Sequence, residues 1–104
     1  MTTDVRNSIE GYISDVKKAM PIDKVYLYGS YAKGNPSEQS DVDICFFSRS
    51  FENRRTVDIL TELLGLTLKY NDVFIEPRAF PLSELENDNP FVKEIVRTGR
   101  EIIW

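Results

Sequence analysis

No histidine occurs anywhere in these 104 residues, and there is a single cysteine, Cys45. The first absence removes Ser-His and Cys-His nucleophilic pairs, imidazole general bases and His-ligated zinc together. The second rules out an internal disulfide, and within its apolar run Cys45 reads as a small buried hydrophobe. Any catalysis must therefore run on carboxylates, hydroxyls, lysines or a bound metal ion. Long apolar runs are missing as well: none approaches the roughly 20 residues that a membrane-spanning helix needs. The start, Met1-Thr2-Thr3-Asp4, is polar and acidic where a secretory signal is basic and then apolar, which predicts a cytoplasmic protein. Positive charge is also in short supply. With 13 Lys and Arg against 17 Asp and Glu the net charge is -4, so no broad field draws nucleic acid, and a large nucleic-acid substrate is disfavoured.

What is present is an ordinary balance of 41% hydrophobic and 29% charged residues, which suits one folded domain over residues 1–104. From Asp4 to Met20, the apolar residues Val5, Ile9, Tyr12, Ile13, Val16 and Met20 recur at spacings of three and four, predicting an amphipathic helix that Pro21 stops. Val25 to Tyr28 reads as a buried strand that breaks at Gly29 in a tight turn, and Tyr31 to Ser40 as a turn-rich loop. A second strand over Asp41 to Phe47 alternates. It sets Asp41, Asp43 and Cys45 on one face and Val42, Ile44 and Phe46 on the other. Ser50 is the expected N-cap of the next helix, whose apolar face is read as Val57, Leu60, Leu63, Leu64, Thr67 and Leu68. A third strand over Asp72 to Ile75 ends at Glu76-Pro77, a short helix over Phe91 to Val96 ends at Gly99, and the tail Glu101 to Trp104 is a candidate edge strand. Helices alternating with strands predict an α/β (α+β) domain with helices packed on a small mixed sheet of three to four strands.

The chemistry gathers at two places. Asp is depleted from strands, and two on one face repel each other unless a cation lies between them, so Asp41-Val42-Asp43 is unusual. Residues two apart on a strand have Cα atoms roughly 7 Å apart, so both side chains can lean toward one ion. Hard oxygen ligands without His or a second Cys select magnesium or manganese, and magnesium held by one or two carboxylates usually completes its shell with substrate phosphates. The pair thus implies a nucleotide. At the first strand's end, Gly29 lets backbone approach a phosphate closely, while Ser30 offers a hydroxyl and an N–H to the same anion. Lys33 either adds a cation there or is a solvated loop lysine. Read without function, Gly29-Ser30 is a turn and the acidic pair a solvated sheet edge.

Gly29-Ser30 followed after ten residues by Asp41-Val42-Asp43, within Tyr28-Gly29-Ser30-Tyr31-Ala32-Lys33-Gly34 and Ser40-Asp41-Val42-Asp43-Ile44, resembles the signature of the DNA polymerase beta-like nucleotidyltransferase superfamily, and of its minimal stand-alone members in particular. Asn89-Pro90-Phe91-Val92-Lys93-Glu94-Ile95 with Gly99 is similar to the ending of such domains. The resemblance implies a third carboxylate on a later strand. Glu76 at a strand end is the choice for it, where the family more often has Asp, and Asp72 is the alternative. It further implies two Mg2+ ions (or Mn2+) on Asp41, Asp43 and Glu76, a triphosphate gripped by Gly29 and Ser30, and ATP as AMP donor. Larger relatives carry a helical acceptor-binding domain, so the resemblance points to a partner: a small all-helical HEPN-type toxin, with this chain as antitoxin modifying a tyrosine. Small-molecule adenylylation and a non-catalytic nucleotide- or partner-binding module are the rival readings, and self-association through the apolar tail is left open.

Overall fold

The structure is a computed structural model that describes residues 3–29 and 41–103. Its elements run α1 (Thr3–Ala19), β1 (Lys24–Tyr28), β2 (Val42–Ser48), α2 (Thr56–Thr67), β3 (Ile75–Pro81), α3 (Pro90–Thr98) and β4 (Arg100–Glu101). The four strands form one mixed sheet in the order β3-β2-β1-β4, antiparallel except for the parallel pair β2 and β3. The α/β class and strand number agree with the sequence reading. Among the described residues no helix is long and apolar enough to cross a membrane.

Alternation along the strands divides the interior in two. Val25 and Leu27 of β1 with Val42, Ile44 and Phe46 of β2 face α1 and α2, where Ile9, Tyr12, Ile13, Val16, Ile59 and Leu63 close a core. This is the stripe read from the sequence of α1. Tyr12 carries a polar tip into that core and satisfies it by donating to the Leu63 carbonyl at 2.9 Å, which ties α1 to α2. On the opposite face, Tyr26, Cys45 and Phe47 pack under Val92 and Ile95 of α3. Asn89 caps α3 by accepting from the N–H groups of Phe91 and Val92, and Pro90 fits its first turn. Gly99 follows because a Cβ there would lie 2.9 Å from the Leu27 carbonyl of β1.

Three expectations are corrected. The third strand starts at Ile75 and runs through Pro77 to Pro81, so Glu76 stands near its beginning. Prolines are tolerated because β3 is an edge strand: Val42 N–H donates to the Phe74 carbonyl at 2.7 Å, which sets even-numbered residues toward β2 and the odd-numbered Pro77 and Pro81 outward. Ser50 does not cap α2. Ser48 takes the capping role, accepting from Ser50 N–H at the head of a 3-10 turn over Arg49–Asn53, and α2 begins later without a side-chain cap. Finally, α2 buries Ile59 and Leu63 while Val57, Leu64 and Leu68 are exposed. Its leucines surround more than half of the helix, so spacing alone did not single out the inward face.

Candidate nucleotide-transfer site

The turn that ends β1 is built for closeness. Gly29 has φ 75, the left-handed region where side chains are strained, and a Cβ there would stand 2.3 Å from Asp43 Oδ2. The bend and the second aspartate of Asp41-Val42-Asp43 are therefore in contact through space, with only a glycine's width between them.

Register then sets a row across the sheet. Tyr28 of β1 pairs with Asp43 of β2, and Asp43 with Glu76 of β3, so the three side chains stand side by side on the face that α3 only partly covers. Asp43 shares a side-chain hydrogen bond with Glu76. Partial burial first, then that bond, the Glu76 charge and the Asp41 charge push its carboxyl up to about 6. Asp41 is exposed immediately before the strand. The same crowding reaches Tyr28, whose phenol burial and then the Asp43 charge push up to about 12. Among the described residues no three acidic groups converge at coordinating distance around one point: Asp43 and Glu76 bond to each other instead.

One row further along, Arg78 pairs with Cys45. Its guanidinium lies 3.9 Å from Glu76 and 5.8 Å from the centre of the Phe91 ring, and its charge acts on the Tyr28 phenol. Cys45 beside it is fully buried, and burial pushes its thiol up to about 12, so it is inert packing.

The family model described as "Polymerase beta, Nucleotidyltransferase" matches residues 10–104. The chain is a member of the polymerase beta nucleotidyltransferase family. A "putative protein adenylyltransferase" of Methanocaldococcus jannaschii is 27% identical to it over 110 residues, covering 96% of this chain and 71% of that protein. Among solved structures, a "putative nucleotidyltransferase" of Sulfolobus solfataricus has a TM-score of 0.58 at 16% identity, over 97% of this chain and 86% of the other. A second "putative nucleotidyltransferase" has a TM-score of 0.57 at 26% identity, over 89% and 99%.

Within this nucleotidyltransferase, Gly29, Asp41, Asp43 and Glu76 stand together. Ser30 and Lys33 lie outside the described residues. Asp72, the alternative third carboxylate, is tied to α1 by the Ser8 hydroxyl, which donates to its two oxygens at 2.9 and 2.8 Å. It is absent from the groups acting on Asp43, whereas Glu76 is foremost among the charged ones. Arg78 and Phe91 are what the sequence reading missed. Arg78 had a signal, since it stands two residues beyond Glu76 and so on the same face of β3. Phe91 had none, because its place depends on how α3 crosses the sheet. A cavity of about 570 Å³ beside α3, lined by Lys24, Tyr26, Leu85 and Arg97 among others, contains none of the acid row.

Proposed function

We propose that this domain transfers AMP from ATP to a hydroxyl of a protein acceptor. The observation that carries the reading is the contact between the Gly29 bend and Asp43, which brings backbone without a side chain against an acidic row. The name of the Methanocaldococcus relative supports a protein as acceptor.

The donor set fits a hard divalent cation: three carboxylates, two of them close enough to share a hydrogen bond, with no histidine in the chain. Asp41, Asp43 and Glu76 are the residues that hold Mg2+ or Mn2+ in this reading. When bound, the cations supply charge neutralisation on the phosphates and a more acidic acceptor hydroxyl. Opening of the Asp43–Glu76 hydrogen bond frees their oxygens for that task. The backbone at Gly29 approaches the triphosphate without side-chain obstruction, Ser30 adds its hydroxyl, and Lys33 adds a cation. Arg78 holds Glu76 from the other side. The partner in this reading is a small all-helical protein of the HEPN type, neutralised by adenylylation of a tyrosine.

A second reading is favoured by one observation. Because the three carboxylates do not converge on one point, the fold also suits a module that binds nucleotide without turnover. Both readings are tested with ATP labelled at the α-phosphate, magnesium and a small all-helical HEPN-type protein supplied as the candidate acceptor. Label should pass to the partner with wild type and not with Asp43→Asn. Nucleotide binding with no transfer selects the module, and equal labelling by the two forms rejects the acid row as the site.

A further inference from the structure

Phe91 is 45% exposed although three groups brace it. Tyr28 meets the ring edge-on at 6.2 Å and 87°, Phe80 lies tilted against it at 5.9 Å and 43°, and the Arg78 guanidinium is 5.8 Å from its centre. Behind this cluster the rings continue into the sheet, with Phe80 stacked on Phe47 at 6.0 Å and Phe47 edge-on to Tyr26 at 5.8 Å. An aromatic ring fixed in this way has little freedom left to lose when something flat is laid on it. Its neighbours leave it uncovered in the first turn of α3, beside the acid row.

We propose that Phe91, framed by Tyr28 and Arg78, is the surface on which the nucleobase of the bound nucleotide stacks. The inference rests on the nucleotide-binding reading above and names where the base goes. Tyr28 both touches Phe91 and pairs with Asp43, so a single side chain separates the ring from the acid row. In any nucleotide a ribose is the unit that separates base from α-phosphate, and it spans this gap when the phosphate lies at Asp43. Stacked rings with an adjacent guanidinium suit the π-face of a base, which every base offers, better than its hydrogen-bonding edge. The platform therefore favours the larger purines and distinguishes poorly between adenine and guanine.

Titration calorimetry of the full chain in magnesium tests this with two ligands, a non-hydrolysable ATP analogue and inorganic tripolyphosphate, which lacks base and sugar. Phe91→Ala is expected to weaken the analogue about tenfold and leave tripolyphosphate unchanged. Phe91→Leu keeps apolar bulk against Phe80 and Tyr28 and should lose affinity for the analogue alone, whereas Phe91→Trp should retain it. Wild-type affinity for the analogue in Phe91→Leu, or parallel weakening of both ligands, overturns the platform and leaves the nucleotide site standing. If wild type takes up neither ligand, both inferences fall.

Discussion

The two faces of the sheet are built from the same strands and do opposite things. Toward α1 and α2, β2 presents Val42, Ile44 and Phe46, each fully buried. Toward α3, the alternate residues begin with Asp43, only half buried, and become apolar at Cys45 and Phe47, where α3 covers them. One face is dry throughout, and the other is dry only under its helix. A strand that alternates can thus carry a full core on one side and a charged row on the other. Substitutions should separate along that line.

The largest effect is expected on the dry face. Phe46 is fully buried and meets Tyr12 edge-on at 5.9 Å, so Phe46→Ala removes a ring that nothing can replace and should cost about 3–5 kcal/mol. Thermal or urea unfolding measures it. Nucleotide affinity of whatever fraction remains folded should be unaltered, and a selective loss of affinity would mean that the two faces are not separable. Asp43→Asn is the mirror image. Transfer should fall by about a hundredfold or more, the scale of removing one preorganised electrostatic group, while the fold at pH 7 is no less stable because a crowded negative charge has gone.

Two glycines make a smaller contrast. Gly29→Ala places a methyl at φ 75 and against Asp43 Oδ2, and should cost about 1–2 kcal/mol together with nucleotide binding. Gly65→Ala, in α2, meets no atom within 4 Å and should stabilise the protein by about 0.5–1 kcal/mol with binding unchanged. Denaturant midpoints and ATP titration on the same two proteins read both quantities.

The dry face was the more legible in sequence. Its residues obey one period each: spacings of three and four fix α1, and alternation sets Val42, Ile44 and Phe46 of β2 together on one side, with the polar Asp43 marking the other. Gly29 and the two aspartates were visible for the complementary reason, being residues that local structure alone does not favour there. What was hidden depends on neighbours in space. Pro77 argued for an end to β3, and only the edge position of that strand explains its continuation to Pro81. Glu76 was preferred to Asp72 for its place at a strand end, but what separates them is spatial: Ser8 of α1 holds Asp72, and Glu76 pairs with Asp43. Arg78 and Phe91 meet only because α3 returns over the sheet. Ser50 lost its capping role to Ser48, whose hydroxyl also reaches the Pro21 carbonyl at 2.7 Å, a partner set by tertiary structure.

The finest test of the comparison is pH. Asp43 holds its proton more tightly in the folded chain, with its carboxyl at about 6 against the ordinary 3.8. A raised carboxyl favours the fold at low pH, so its contribution is fully present below about 4 and is lost as pH rises through about 6. Because the group is half exposed, solvent screening keeps this below about 1 kcal/mol. Unfolding free energies measured from pH 4 to pH 7 should therefore slope gently downward in wild type relative to Asp43→Asn, in which the carboxyl is gone. Phe46→Val, a change confined to the dry face, should keep the wild-type slope while lowering the whole curve. If the proposed cation site is right, magnesium added above pH 6 should recover the lost stability in wild type alone, the cation then taking the place of the proton between Asp43 and Glu76. If the slope survives in Asp43→Asn, the acidity of the open face lies elsewhere, and the row of Tyr28, Asp43 and Glu76 is packing like its opposite face.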